Sequence, residues 1–151
     1  MRKDNTSDTS LILPPHYRKD SPQGITPPNP DAERDIVQHI TKHRGLKTPY
    51  TSVSESPDAI QHFEGHLYRT NPHEIINDQH TFINHADLIG QLRLLNQAST
   101  RETRVLAVRA IQLATRAREA LVQWEFSLDA VNRKDRIAWC QRQIQKYFHK
   151  V

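Results

Sequence analysis

Apolar and polar positions alternate with different periods along the chain. Between Thr100 and Val122, the residues Leu106, Ala110, Leu113, Ala114, Ala117 and Leu121 recur at helical spacing. This predicts one long amphipathic helix, with Arg104, Arg109, Arg116 and Arg118 off its apolar stripe. The period then changes to two: Trp124, Phe126, Leu128 and Ala130 are apolar, while Gln123, Glu125, Ser127 and Asp129 are polar. That pattern predicts a half-buried strand over 123–130. Helical spacing returns from Asp135 to Phe148, with Ile137, Cys140, Ile144 and Tyr147/Phe148 on one side.

Nearer the N-terminus the punctuation is mostly proline and glycine. Residues 1–13 read as a linker, leaving 14–151 as one domain of α+β class. Asn29-Pro30-Asp31-Ala32-Glu33 has a cap, a first-turn proline and acids in the first turn of a helix. Its buried stripe would be Ile36, Val37 and Ile40, and it would stop before Gly45. Tyr50-Thr51-Ser52-Val53-Ser54 is rich in β-branched and aromatic residues and predicts a strand with Ser52 and Ser54 on one side. Ser56-Pro57 predicts the start of another helix ending near Gly65, and Leu67-Tyr68-Arg69 a second strand. Over 71–85 the pattern does not separate loop from short strand.

Composition narrows the class. At 151 residues with 36% hydrophobic positions, the chain suits one lean domain. It holds no apolar run long enough to span a membrane and no signal-peptide pattern at its start. One cysteine, Cys140, forms no internal disulfide, which suits a reducing cytosol. Charge is segregated: residues 101–151 carry 11 Lys/Arg against 5 Asp/Glu, whereas 51–100 carry 2 against 6. An anionic partner would meet the C-terminal third.

Three segments carry candidate chemistry. Tyr17-Arg18-Lys19-Asp20-Ser21-Pro22 sets a planar guanidinium, suited to phosphate, before a proline-rich loop. The Tyr50–Ser54 strand offers paired hydroxyls. In Gln123-Trp124-Glu125, strand alternation puts an amide and a carboxylate on one face about 7 Å apart. A carboxylate so placed stabilises an oxocarbenium-like centre on a ribose.

In their order and spacing these segments resemble the R-S-E class of mono-ADP-ribosyltransferases, the cholera-toxin, C3-like and pierisin-like group. The match runs from Tyr17 to about Ile137, with Val53 in place of the middle threonine of the serine motif. The resemblance implies a split β-sheet around an NAD cleft with flanking helices. NAD would be the co-substrate, with Arg18, Asp20, Tyr50, Ser52 and Ser54 in its binding site. Glu125 would hold the ribose and stabilise the oxocarbenium ion as nicotinamide leaves, and Gln123 would address the acceptor. The acceptor would be a protein, RNA or DNA in a target cell. The family also implies a secreted or injected effector acting in the target-cell cytoplasm, away from membranes, with an immunity protein as a further partner. Glu74, Glu102 and Glu119 are rival carboxylates.

Plainer readings compete with each motif. Arg18 is also a surface arginine, Ser52 and Ser54 an ordinary edge strand, and Gln123/Glu125 a solvated strand face. His39/His43 and His62/His66 stand four apart, a spacing for two imidazoles on one helix face, but without a third ligand they read as structural or solvated. His39 or His43 could instead line the cofactor cleft, as a histidine does in some relatives. The alternative to a transferase is a non-catalytic basic helical module that binds nucleic acid or an acidic protein partner.

Overall fold

The computed structural model describes residues 13–20, 35–41, 49–98, 100–125 and 133–151. In chain order these form β1 (His16–Asp20), α1 (Ile36–Thr41), β2 (Tyr50–Ser54) and β3 (His66–Thr70). They continue with α2 (Pro72–Asn77), β4 (Thr81–Ile83), α3 (His85–Leu95), α4 (Arg101–Ala117), β5 (Glu119–Gln123), α5 (Arg133–Tyr147) and β6 (His149–Lys150). The chain is α+β, with one six-stranded antiparallel sheet in the order β4-β5-β2-β1-β3-β6.

One seam of the sheet is thin. β1 and β3 share five register pairs and β2 and β5 share five, but β1 and β2 meet at Tyr17 and Ser54 alone. The sheet therefore divides into two three-stranded halves, β4-β5-β2 and β1-β3-β6, that part beyond that single pair.

Each face of the sheet carries its own core, because side chains alternate across a strand. From β5, Leu121 enters a cluster with Ile36, Val37, Ile40, Tyr50, Ile83, Leu88, Leu92, Ala110 and Ala114, which seats α1, α3 and α4. Ala120 and Val122 enter the other, with Val53, Tyr68, Ile75, Trp124, Cys140, Ile144, Tyr147 and Phe148, which seats α5. Buried on both faces, β5 reads as the continuous apolar run Ala120-Leu121-Val122 rather than an alternating one.

That explains a difference from the pattern-based expectation. The helix expected over 100–122 ends at Ala117, and Arg118 turns the chain with φ 49° and ψ 50° in the left-handed region. Its N–H caps the carbonyls of Ala114 and Thr115. Leu121 continues the helical stripe in sequence yet reaches the same core from a strand. The inter-strand ladders to β2 and β4 outweigh local helix preference there.

The strand expected over 123–130 is displaced accordingly: β5 ends at Gln123, and 126–130 lie outside the described residues. The helix expected from Ser56 shrinks to a single 3-10 turn at Asp58–Ile60, since Ile60 alone of that turn is buried and Gln61 to Gly65 are exposed. The expected strands at 50–54 and 67–69 and the helices carrying Ile36, Val37 and Ile40 and Cys140 and Ile144 are present. The expected helix start at Asn29 to Glu33 lies outside the described residues.

Candidate functional site

The thin seam is where the chemistry gathers. Arg18 on β1 donates from Nη1 to the Ser52 carbonyl oxygen at 2.9 Å, bridging the gap between the two half-sheets. Its Nε donates to Asp20 at 3.1 Å, which fixes the plane of the guanidinium. Among the described residues two of the five N–H groups are thereby used, and the rest of the fork is suited to an anion.

On the other side of Ser52 stands a carboxylate, Glu119, the first residue of β5. Ser52 donates its hydroxyl hydrogen to Glu119 Oε2 at 2.6 Å. His39 Nε2 lies 2.7 Å from the same hydroxyl oxygen. Because the single hydroxyl hydrogen goes to Glu119, His39 donates from Nε2, and the order His39, Ser52, Glu119 forms one directed relay. Tyr50 packs edge-on against the His39 ring, with centroids 5.5 Å apart. Burial raises the Glu119 carboxyl above its ordinary value, while the Ser52 hydrogen bond and the positive charge of Arg18 act in the opposite direction.

The backbone around Glu119 is held from several directions. Ser54 donates to the Ala117 carbonyl at 2.6 Å and accepts from the Ser56 N–H. Glu55 N–H donates to the Arg118 carbonyl, and the Arg118 guanidinium pairs with the Glu55 carboxylate. His85, at the start of α3, donates from Nδ1 to the Glu119 carbonyl at 2.8 Å, where β4 no longer reaches. Ser54 thus anchors the α4–β5 corner rather than facing a ligand.

Of the residues singled out by motif, the structure brings Arg18, Asp20, Tyr50 and Ser52 to this place. Gln123 and Glu125 lie elsewhere. Gln123 is opposite Tyr50 at the far end of β5, about 13 Å along the strand from Glu119 at roughly 3.3 Å per residue. Glu125 follows the strand, where its Oε2 accepts from Thr81 Oγ1 at 2.7 Å and Gln123 Nε2 at 2.8 Å, and its N–H donates to His80 Nδ1. The expected convergence of Arg18 and Ser52 with Glu125 is therefore corrected to convergence with Glu119. The Gln-x-Glu spacing becomes Ala117-x-Glu119, with no amide or carboxylate two residues before the acid.

The shift follows from the boundary between α4 and β5. The pattern over 123–130 makes Glu125 the strand-borne acid, whereas the strand begins at Glu119. The signal available in the sequence was the three-residue apolar run immediately after Glu119, which reads as a central strand with an acid at its entrance. His62 and His66 share no helix, since His66 opens β3, and His43 lies outside the described residues.

A cavity of about 530 Å³ opens between α1, α3 and α4, with Ile36, Tyr50, Leu94, Leu95 and Leu106 among its apolar lining. Tyr50 connects it to His39; Arg18, Ser52 and Glu119 do not line it. No helix among the described residues is long and apolar enough to cross a membrane. Comparisons with protein-family models, curated proteins and solved structures find no match.

Proposed function

We propose that this chain is an NAD-dependent mono-ADP-ribosyltransferase of the toxin or effector kind, built on an ADP-ribosyltransferase-like split sheet and moving ADP-ribose to a macromolecular acceptor with release of nicotinamide. The observation that carries the reading is the bonded set Arg18, Ser52 and Glu119, drawn from three strands at the parted seam. An arginine, a serine and a glutamate are the residue types the family resemblance requires, and here they meet in space with Glu119 as the acid.

The donor set fits a dinucleotide. The remaining N–H groups of Arg18 present a fork suited to phosphate oxygens. NAD would supply the transferable ADP-ribose and its leaving group, nicotinamide. Glu119 places negative charge beside the ribose, where positive charge develops as nicotinamide departs; its burial makes that interaction stronger than it would be in water. Ser52 positions the carboxylate by holding Oε2, leaving Oε1 for a ribose hydroxyl. His39 in turn orients Ser52.

The test is incubation with labelled NAD and a whole-cell lysate, with the protein and nucleic-acid fractions counted separately and nicotinamide followed. Glu119→Gln should lower nicotinamide release by about 100-fold or more, the scale for loss of a group that stabilises developing charge. Glu125→Gln should leave it within a few-fold. The reverse ranking would return the acid to Glu125. Failure of the native chain to bind NAD at millimolar concentration would replace the transferase with a binding module.

A further inference from the structure

Two buried polar atoms, His16 Nε2 and Thr70 Oγ1, have no hydrogen-bond partner among the described residues. Their residues are 2% and 1% exposed. They are also neighbours: His16, the first residue of β1, is the register partner of Thr70, the last residue of β3. Residues directly opposite each other in an antiparallel pair point to the same face, with Cβ atoms about 4.5–5.5 Å apart. Tyr68, two residues back along β3 and so on that face too, belongs to the core that seats α5. The His16 ring packs edge-on against Phe82, with centroids 5.0 Å apart, and Phe82 packs against the same core. The other bond of His16 sets what the pair can hold. Its Nδ1 lies 3.0 Å from the Pro14 carbonyl oxygen. A carbonyl only accepts, so Nδ1 carries the hydrogen and Nε2 of the neutral ring is a bare acceptor. Burial favours that neutral ring. The Thr70 hydroxyl can donate its hydrogen and accept as well. Left unmet among apolar side chains, both groups would carry their desolvation cost in full.

We propose that His16 and Thr70 hold one buried water between β1 and β3, which donates to His16 Nε2 and accepts from the Thr70 hydroxyl. The bare nitrogen selects a donor, which excludes a simple anion. A metal ion would need further ligands, and among the described residues no three His, Cys, Asp or Glu side chains gather to hold one. A cation of the ammonium kind would bring an unpaired charge into the core at greater cost than a neutral molecule. Water is neutral, donates and accepts at once, and is small enough to lie between two side chains so spaced. The bridge has a place in the fold. β1 meets β2 at a single pair, so its seat is the ladder to β3 and, with this water, a second tie between the same two strands. Arg18 stands two residues along β1 from His16. The claim stands whether or not the chain transfers ADP-ribose.

The sign of one substitution tests the bridge. Thr70→Val exchanges the hydroxyl for a methyl of the same shape, and urea unfolding of the full chain reads the result. If the water is bound, the variant loses a hydrogen-bonded site, and its folding equilibrium constant should fall about 10-fold. If the pair is dry, the variant removes an unmet hydroxyl from the core and should be more stable than the native chain, which would overturn the proposal. Water-oxygen relaxation dispersion counts long-lived waters beside the unfolding series. Thr70→Val and His16→Phe should each lose the same one, whereas Thr70→Ser, which keeps the hydroxyl, should retain it. In the His16→Phe background Thr70→Val should cost less than it does alone, because the two side chains share one partner. Lost stability in Thr70→Val with the number of long-lived waters unchanged would mean a direct bond between the two side chains and would equally overturn the bridge.

Discussion

Glu119 shows how one side chain is held against its own solvation. Its residue is 9% exposed, and burial disfavours the charged form more than Ser52 and Arg18 favour it, so its pKa is raised in the folded state. A carboxyl with a raised folded pKa contributes stability below its unfolded value, near 4.5, and loses it as pH rises through the folded value. Near neutral pH the native residue is therefore a burden on the fold. Glu119→Gln keeps an oxygen to accept from Ser52 and removes the charge. Its melting temperature should exceed the native one at pH 8, with the difference closing as pH falls toward 4.5. A variant less stable than the native chain at pH 8 would mean that the Arg18 attraction outweighs burial. For the acid proposed here, desolvation retained at a cost in stability is the usual form of a trade between stability and activity.

At the scale of elements, the geometry of the site depends on how strands begin and end. Gly65 precedes β3 with φ +112°, and a Cβ there would press on the backbone of Asp20 at the end of β1. Asp20 is the partner that fixes Arg18. Gly65→Ala should therefore cost about 1–3 kcal/mol, as expected for backbone strain. It should also weaken the NAD binding proposed for this site by displacing Arg18, measured by chemical unfolding beside a titration. Unchanged stability would show that the backbone where Gly65 meets Asp20 relaxes without cost. At the other corner, the left-handed Arg118 converts helix to strand within one residue, and the bonds from Ser54 and Glu55 lock that conversion. Thr100 caps the opposite end of α4 by accepting from the Thr103 N–H, so both limits of the helix are set by side chains or dihedrals that propensity alone does not weigh.

The whole molecule has a predicted acid limit. His80 is buried, with its ring edge-on to Trp124, Trp139 and Tyr147, and it accepts the Glu125 N–H, which requires the neutral ring. His16 is 2% exposed; its Nδ1 bonds to the Pro14 carbonyl, and its Nε2 has no hydrogen-bond partner among the described residues. Burial lowers the pKa of both below their ordinary value of 6.5. Their contribution is full above about 6.5 and is lost as pH falls through the lowered folded values, because the unfolded chain takes up protons first. The urea midpoint should therefore drop between pH 7.5 and 5.0, and His80→Gln should flatten the decline. The series belongs in the Glu119→Gln background, since Glu119 has the opposite sign. A midpoint that holds or rises toward pH 5 would show that neither ring is kept neutral by the fold. These histidines tie separate elements together, since His80 meets α5 through Trp139 and Tyr147 and His16 on β1 meets β4 of the other half-sheet through Phe82.

The sequence alone determined the features written in short range. The strand at 50–54 was legible from its β-branched and aromatic residues, and the stripe of Ile36, Val37 and Ile40 and that of Cys140 and Ile144 from helical spacing. Arg18 and Ser52 were legible as candidates because each stands in a compact motif. Glu119 was not legible as the carboxylate beside Ser52, because Ala110, Ala114, Ala117 and Leu121 keep helical spacing across the α4–β5 boundary and local pattern carries the helix through Glu119 into what is a central strand. Only the ladders between β5 and its neighbours β2 and β4, formed by residues about 35 to 70 positions apart in sequence, placed the boundary at Arg118 and Glu119 beside Ser52. Tertiary structure decided the carboxylate because backbone hydrogen bonds must be satisfied across the sheet, and that requirement has no signature in the spacing of any one segment.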